Sequence, residues 1–555
     1  MNRAKPAVKR LGWAVLAAVA VVIQGGCTPA ESLRGPAVEP ARDSGQRTIT
    51  VTAAETLGPC YRFWSVGNFN KPQSLLDPQA MRDYREAAPL VTELNLVYLL
   101  GGRYPGANEW FLGLDADGTP RTDFAGMIAQ LRAALAAGYQ VRIVLDNVPY
   151  GMSDPPQEHY YGNTAPPADE RVWGLYVEAA VRAMVEAFGR ETVARWPFRV
   201  GTEPDLKPAH WAGTEEQYFA HYDHTVAAVR RVLPEAVVGP GNIMNPGRRP
   251  DAQRIVRRWG LNIIDHAATG ANACTGGAGA PMDVFSCSWY PRVGWSLDRF
   301  NEAMGAMRRR LDQYEPFRRV PIEVGEFSVL GDERGRHLYA GDTTEWSAGF
   351  YAALADRVYA LDIRKLYEWD HATYGVMHPK GRVIEMLQEM AGGERLAIAV
   401  EGASDAQCGA LACRRGDDLY VLVYHHRPGR AAGPAETVRL EVRDTRMTDG
   451  ALWRLSRRLV DRGHGVWAYA FEADATAAGL TPLRGAGLYE GAVLRLYGEA
   501  GVPVFRANAA KYHALSQPLV EADNQPVPVA DGRWTVTLEM PCHSARLLRL
   551  SPPAR

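Results

Sequence analysis

The chain has 555 residues, 46% of them hydrophobic, and a formal net charge of −1. That length exceeds one ordinary domain, so two are expected, each with apolar residues enough for a core. The near-zero charge and the lack of a basic stripe give no support to a nucleic-acid partner.

At the N-terminus, Lys5, Lys9 and Arg10 precede an apolar stretch from Leu11 to Ile23, then Gly25-Gly26-Cys27. A charged region, a short apolar region and small residues at a cleavage point make an export signal. The apolar stretch is short for a bilayer span. The segment resembles a bacterial lipoprotein signal, which implies that residues 1–27 are a signal peptide and that Cys27 becomes the lipidated first residue. Gln24 stands where that pattern usually carries an aliphatic residue. Residues 28–46, rich in Pro, Gly, Ser, Arg and Glu, read as a tether. The expected location is outside the cytoplasm, periplasmic or at the cell surface on a lipid anchor, or otherwise secreted.

Residues 47–392 alternate apolar strands with helical patterns, which predicts βα units. The strands read are Tyr61–Val66, Asn95–Leu100, Gln140–Leu145, Phe198–Thr202, Ala236–Gly239, Asp283–Ser288, Val320–Gly325 and Arg364–Trp369. Helical spacing marks Ala125–Ala137, Arg171–Phe188 and Glu215–Leu233 between them, and Thr214 with Gln217 forms a capping box at the last. Eight such units predict an α/β fold, a (β/α)8 TIM barrel.

From residue 393 to 555 the pattern changes to period two, as in Val438, Leu440, Val442 and again Trp534, Val536, Leu538, Met540. Leu419–Tyr424, Gly465–Phe471, Ala492–Leu496 and Ala545–Leu550 add strand-like runs separated by Gly- and Pro-rich turns. The prediction is a C-terminal β-sandwich, with Thr48–Val51 (within residues 47–58) a candidate to lend it a strand. Beyond Cys27 there are six cysteines, an even number that in an exported chain favours disulfides. Many pairings are open. Closeness in sequence suggests Cys408–Cys413 and Cys274–Cys287, leaving Cys60–Cys542.

Two glutamates carry the chemistry. Glu203 sits in Val200-Gly201-Thr202-Glu203-Pro204-Asp205, and Glu326 in Ile322-Glu323-Val324-Gly325-Glu326-Phe327. Each follows a buried-strand pattern, so each is expected in the loop at the catalytic face of a barrel. Glu323, three positions earlier, is expected deeper and on the opposite side. Two facing carboxyls roughly 5–5.5 Å apart form the apparatus of a retaining glycosidase, one as nucleophile and one as acid/base. No metal or organic cofactor is needed for that chemistry.

Glu-Pro-Asp after the fourth strand and Gly-Glu-Phe after the seventh resemble the motifs of the large (β/α)8 clan of retaining glycoside hydrolases. The chain is most similar to glycoside hydrolase family 39, which includes β-xylosidases and α-L-iduronidases. Glu216–Asp223 with Pro234–Pro240, Val460-Asp461-Arg462-Gly463-His464 and His543–Leu548 extend the likeness over most of residues 60–550. The resemblance implies that Glu203 is the general acid/base and Glu326 the nucleophile. Thr202 stands where the clan carries an Asn that binds the sugar 2-hydroxyl. Tyr290 resembles the clan's tyrosine that hydrogen-bonds the nucleophile, and Trp369 its aromatic platform under the sugar. Arg103 is a candidate for holding Glu326 ionised, and His210 and Trp211 for lining a subsite. Asp146, Asn147, Asp370 and His371 also fall at strand ends. A carbohydrate substrate is implied, its sugar unspecified, as is the oligomeric state. Two other readings stay open: an internally cutting glycosidase of another family of the clan, and a non-catalytic glycan-binding lipoprotein that kept the barrel.

Overall fold

The computed structural model describes residues 47–106, 109–244, 259–329, 343–402, 407–483 and 492–553. The signal, Cys27 and the tether lie outside them.

Eight parallel strands close into a barrel: Val66–Phe69, Glu93–Leu96, Gln140–Leu145, Phe198–Val200, Val238–Met244, Phe285–Trp289, Ile322–Phe327 and Ile363–Glu368. The fifth strand is broken. Its first piece, Val238–Pro240, pairs with the fourth strand, and its second, Ile243–Met244, pairs with the sixth. Helices such as Ala125–Ala136, Glu170–Phe188 and Glu215–Val232 connect the strands, and the capping box of Thr214 and Gln217 opens the last.

Alternation along the strands explains what each face holds. Leu94, Leu96, Val141, Ile143, Leu145, Phe198, Phe285, Ile322 and Val324 join one apolar core with Trp173, Tyr176, Val181 and Met184 of the helix Glu170–Phe188. The residues between them, Asn95, Arg142, Arg199, Ser286, Glu323 and Tyr367, line a space inside the barrel. The interior is therefore polar, with charges that must find partners there.

The first strand begins at Val66, not Tyr61. Phe63 and Trp64 are apolar because they are buried beneath the barrel: Phe63 meets Tyr351 and Tyr359, and Tyr359 donates a hydrogen bond to the Tyr61 carbonyl. The other strands lie within about five residues of their expected ends, the largest difference being the second piece of the broken fifth strand.

The second domain is a nine-stranded sheet. Its order is Leu519–Pro528, Leu452–Val460, Ser544–Ser551, Asp418–His426, Gln407–Arg415, Glu394–Glu401, Arg47–Pro59, Glu436–Arg443 and Arg533–Met540. Trp453 near one edge and Trp534 at the other share a single core with Ile49, Val51, Val421, Val438 and Leu548. A flat sheet cannot bring opposite edges together, so this one folds over on itself as a sandwich does.

Two of the expected strands are helices. Gly465–Phe471 turns into the helix Ala468–Ala477, and Ala492–Leu496 opens the helical segment Ala492–Ala507, which bends at Gly498. Trp467, Phe471 and Ala475 recur every four residues, as do Val493 and Tyr497, and all five share a core with Phe505 and Tyr512. A short apolar run does not by itself tell a buried helix from a strand.

The six cysteines of the described residues are free thiols. Cys408 and Cys413 sit on one strand, Gln407–Arg415, an odd number of residues apart, so they face opposite sides. Cys408 joins the sandwich core and Cys413 the core beneath the barrel. Cys287 lies within the sixth barrel strand, and Cys274 is in the loop before it.

Candidate active site

Glu203 and Glu326 are carried by different parts of the barrel, the loop after the fourth strand and the end of the seventh. The fourth strand ends at Val200, and Gly201 (φ +80°) turns the chain. Glu203 itself takes φ +41° and is only 5% exposed. A glutamate in the left-handed region is strained and stays there only because its surroundings hold it. The Leu206 amide donates to the Glu203 carbonyl at 2.8 Å, and Asp205 accepts from the Met244 amide at 2.9 Å. The second piece of the fifth strand thus braces the Glu203 loop.

Glu326 is the penultimate residue of its strand rather than part of the following loop. The register slips between Cys287 and Ser288 opposite Gly325. That slip cancels the odd spacing from Glu323, so both glutamates face the barrel interior. Gly325 has to be glycine: a Cβ there would lie 2.7 Å from an Arg199 nitrogen and 2.9 Å from the Asn242 Cβ. Glu323 is deeper, as expected, and is held by Arg142 at 2.8 and 2.9 Å and by the Tyr367 hydroxyl. Removing one member of such a buried pair costs roughly 3–5 kcal/mol, which marks Glu323 as a structural residue.

The Tyr290 hydroxyl donates to Glu326 Oε2 at 2.6 Å, and Trp369 Nε1 donates to that hydroxyl at 3.2 Å. Burial raises the Glu326 pKa; the Tyr290 hydrogen bond, the Arg199 charge and the Asn242 amide act in the opposite direction. The guanidinium beside Glu326 is therefore Arg199, from inside the fourth strand. Arg103, proposed for that task from the sequence, instead stacks among Tyr98, Tyr104, Tyr160 and Tyr161 at 4.8–5.7 Å and donates to the Tyr160 carbonyl.

Tyr161 lies within the field of both glutamates. Its hydroxyl pKa is raised by burial first, and then by the charges of both Glu203 and Glu326. His210 stacks on the Tyr161 ring at 4.1 Å, with Nε2 at 3.6 Å from Glu203 Oε2. Burial, helped by the charge of Arg103, pushes the imidazole down to about 3, so it is neutral beside the carboxyl.

Thr202 Oγ1 donates to Asp146 Oδ2 at 3.0 Å, and the Tyr98 amide donates to Oδ1 at 2.8 Å. Burial outweighs these bonds and pushes Asp146 up to about 6. A small recess is lined by Asp146, Asn147, Asn163, Thr202, His210 and Trp211. Asn147 spends its amide on the Tyr161 carbonyl at 2.6 Å, and Trp211 spends its indole N–H on the Thr214 carbonyl at 3.0 Å. His371 and the carboxyl of Asp370 lie behind the eighth strand, among Lys380 and His378.

Arg199, Asn242 and Tyr161 were not found from the sequence. A charge inside the short strand Phe198-Arg199-Val200 was the available signal for the first. Asn242, fully buried in the break of the fifth strand, donates to Ser288 Oγ at 2.6 Å. Its signal was the Gly-Pro-Gly that precedes it.

A model of the family "Glycosyl hydrolases family 39" matches residues 117–360. An α-1,4-L-rhamnosidase of Formosa agariphila is 32% identical over 268 residues, 45% of this chain and 51% of that protein. A β-xylosidase of Caldicellulosiruptor saccharolyticus is 27% identical over 268 residues, 47% and 50% of the two. The chain thus spans about half the length of the curated relatives it matches. Among solved structures, a monomeric β-xylosidase from Caulobacter crescentus CB15 superposes with TM-score 0.66 at 18% identity, covering 92% of this chain and all of that one. A bacterial orthologue of human α-L-iduronidase gives 0.65 at 17% identity, covering 92% and 84%. These two likenesses establish the barrel-and-sandwich fold, and within it residues 117–360 are similar to glycoside hydrolase family 39.

Proposed function

We propose that the protein is a retaining glycosidase acting on an oligo- or polysaccharide. The observation that carries this is the half-buried Glu326 carboxylate, which accepts a hydrogen bond at 2.6 Å from the Tyr290 hydroxyl at the same barrel mouth as the buried Glu203. Glu326 attacks the anomeric carbon while Glu203 gives its proton to the departing glycosidic oxygen, leaving a covalent glycosyl-enzyme. Glu203, now a carboxylate, takes a proton from water as the water displaces Glu326, and the sugar leaves with its configuration retained. Trp369 offers an indole face to the apolar side of the sugar ring. Thr202 and Asp146 offer oxygen atoms to its hydroxyls.

The relatives' names suggest where to begin: aryl α-L-rhamnosides, β-xylosides and α-L-iduronides, with bacterial and plant polysaccharides beside them. Proton NMR of the first-formed product should show the substrate's own anomer. Inversion would overturn the double-displacement reading. A folded protein that binds a glycan and hydrolyses nothing in the panel would favour the non-catalytic reading.

We also read the protein as exported and anchored through Cys27, on the strength of its charged, apolar and small-residue N-terminal pattern. Labelled palmitate should enter the wild-type protein and not a Cys27→Ala variant; a protein that stays unlabelled in both would refute the anchor.

A further inference from the structure

Behind the eighth strand lies a cluster of charges that the mechanism above does not use. Glu368 is fully buried and Lys380 is 1% exposed. Lys380 Nζ lies 3.2 Å from Glu368 Oε2 and 3.8 Å from Asp370 Oδ1. The Tyr351 hydroxyl donates to Glu368 Oε1 at 2.6 Å. His378 brings Nδ1 to 3.8 Å from Asp370 Oδ1 and sets Nε2 at 2.8 Å from the Thr373 hydroxyl. One ammonium thus serves two carboxylates, and those two flank Trp369 in sequence.

The contacts give this arrangement its meaning. Glu368 ends the strand, and it and Asp370 both turn to Lys380, whereas Trp369 between them turns to Tyr290. Fixing the two carboxylates on the outside fixes the direction in which the Trp369 indole enters the barrel. Trp369 Nε1 then donates to the Tyr290 hydroxyl at 3.2 Å, and that hydroxyl donates to Glu326 at 2.6 Å. The location of Lys380 also needs explaining. It stands in the first turn of the helix Pro379–Met390, where the helix dipole disfavours a cation. A buried ammonium at that end is retained only if its carboxylate partners repay its desolvation.

We propose that Lys380 is a positioning residue for Trp369: it clamps Glu368 and Asp370, fixes the exit of the eighth strand, and through the indole and Tyr290 sets the orientation of the Glu326 carboxylate. The activity readout of this inference rests on the glycosidase reading; its spectroscopic readout does not.

The test is Lys380→Met, which keeps the length of the side chain and removes the charge. In protein labelled with 5-fluorotryptophan, the fluorine resonance of Trp369 is the one absent from a Trp369→Phe sample. Lys380→Met should shift or broaden that resonance and leave the other tryptophan signals in place. On a hydrolysed glycoside, kcat should fall about tenfold with KM little changed, the scale expected when a reacting group is slightly misplaced. In a Trp369→Ala background the same substitution should cost less than about twofold, because its route to Glu326 is already cut. An unmoved Trp369 resonance, or equal losses in both backgrounds, would overturn the proposal. Should Lys380→Met fail to fold, Lys380→Met with Glu368→Gln removes the buried pair together, and the same two measurements are made on that protein. If the wild type hydrolyses no glycoside, the glycosidase reading fails, and the fluorine spectrum alone decides the role of Lys380.

Discussion

Replacing Glu326 with alanine is expected to lower turnover by about 10⁴-fold or more, the scale seen when a covalent nucleophile is removed. The neighbouring carboxylates Glu323 and Asp146 are engaged elsewhere. Glu323 is locked to Arg142 and Tyr367 deeper in the barrel, and Asp146 accepts from Thr202 and the Tyr98 amide. The fold should survive, because burial works against the ionised form of Glu326 and its loss removes that penalty. The same burial sets a pH dependence. The nucleophile must be ionised to attack, and its pKa is raised above the usual value. The acid limb of kcat/KM should therefore lie above the ordinary carboxylate range, with activity lost as pH falls through it. Hydrolysis of the aryl glycoside panel, with melting curves of both proteins, measures all of this. Substantial activity in Glu326→Ala would end the assignment of the nucleophile.

The second large effect is selective. Glu203→Gln cannot donate a proton, so glycosides with poor leaving groups should lose about 10²–10⁴-fold in rate. Aryl glycosides whose phenolate leaves unaided should still form the covalent intermediate. Its hydrolysis then lacks a base, so the glycosyl-enzyme should accumulate, visible as one added sugar in the intact mass. Loss of the same factor across all leaving groups, with no added mass, would show that Glu203 plays another part.

The two glutamates were legible in the sequence because each closes an apolar run and is set off by a glycine. Tyr290 and Trp369 were legible for a related reason, since each also sits at the end of a strand. Arg199, Asn242 and Tyr161 were not. Their importance comes from what lies across the barrel, and that depends on register. The slip at Gly325 shows how little it takes: one irregular pairing turned Glu323 and Glu326 to the same side, where simple alternation set them apart. Parity decided the cysteines in the same way, separating Cys408 from Cys413 on a single strand. Around Trp467 and Val493 the obstacle was ambiguity of another kind, since a few apolar residues suit a buried helix as well as a strand.

The strand Arg47–Pro59 runs antiparallel to Glu394–Glu401, with Pro59 opposite Glu394, and parallel to Glu436–Arg443. Everything between Pro59 and Glu394 is the barrel. Topologically the barrel is the loop of a hairpin, inserted between two neighbouring strands of the sandwich. A cut at residue 393 would not yield two clean domains, because the sandwich would lose an internal strand and expose two raw edges. The last described strand, Ser544–Ser551, belongs to the same sheet. A pull applied between the segment ahead of Arg47 and the end of the chain is therefore carried by the hydrogen bonds of the sandwich, and the barrel with its glutamates hangs outside the path of the load.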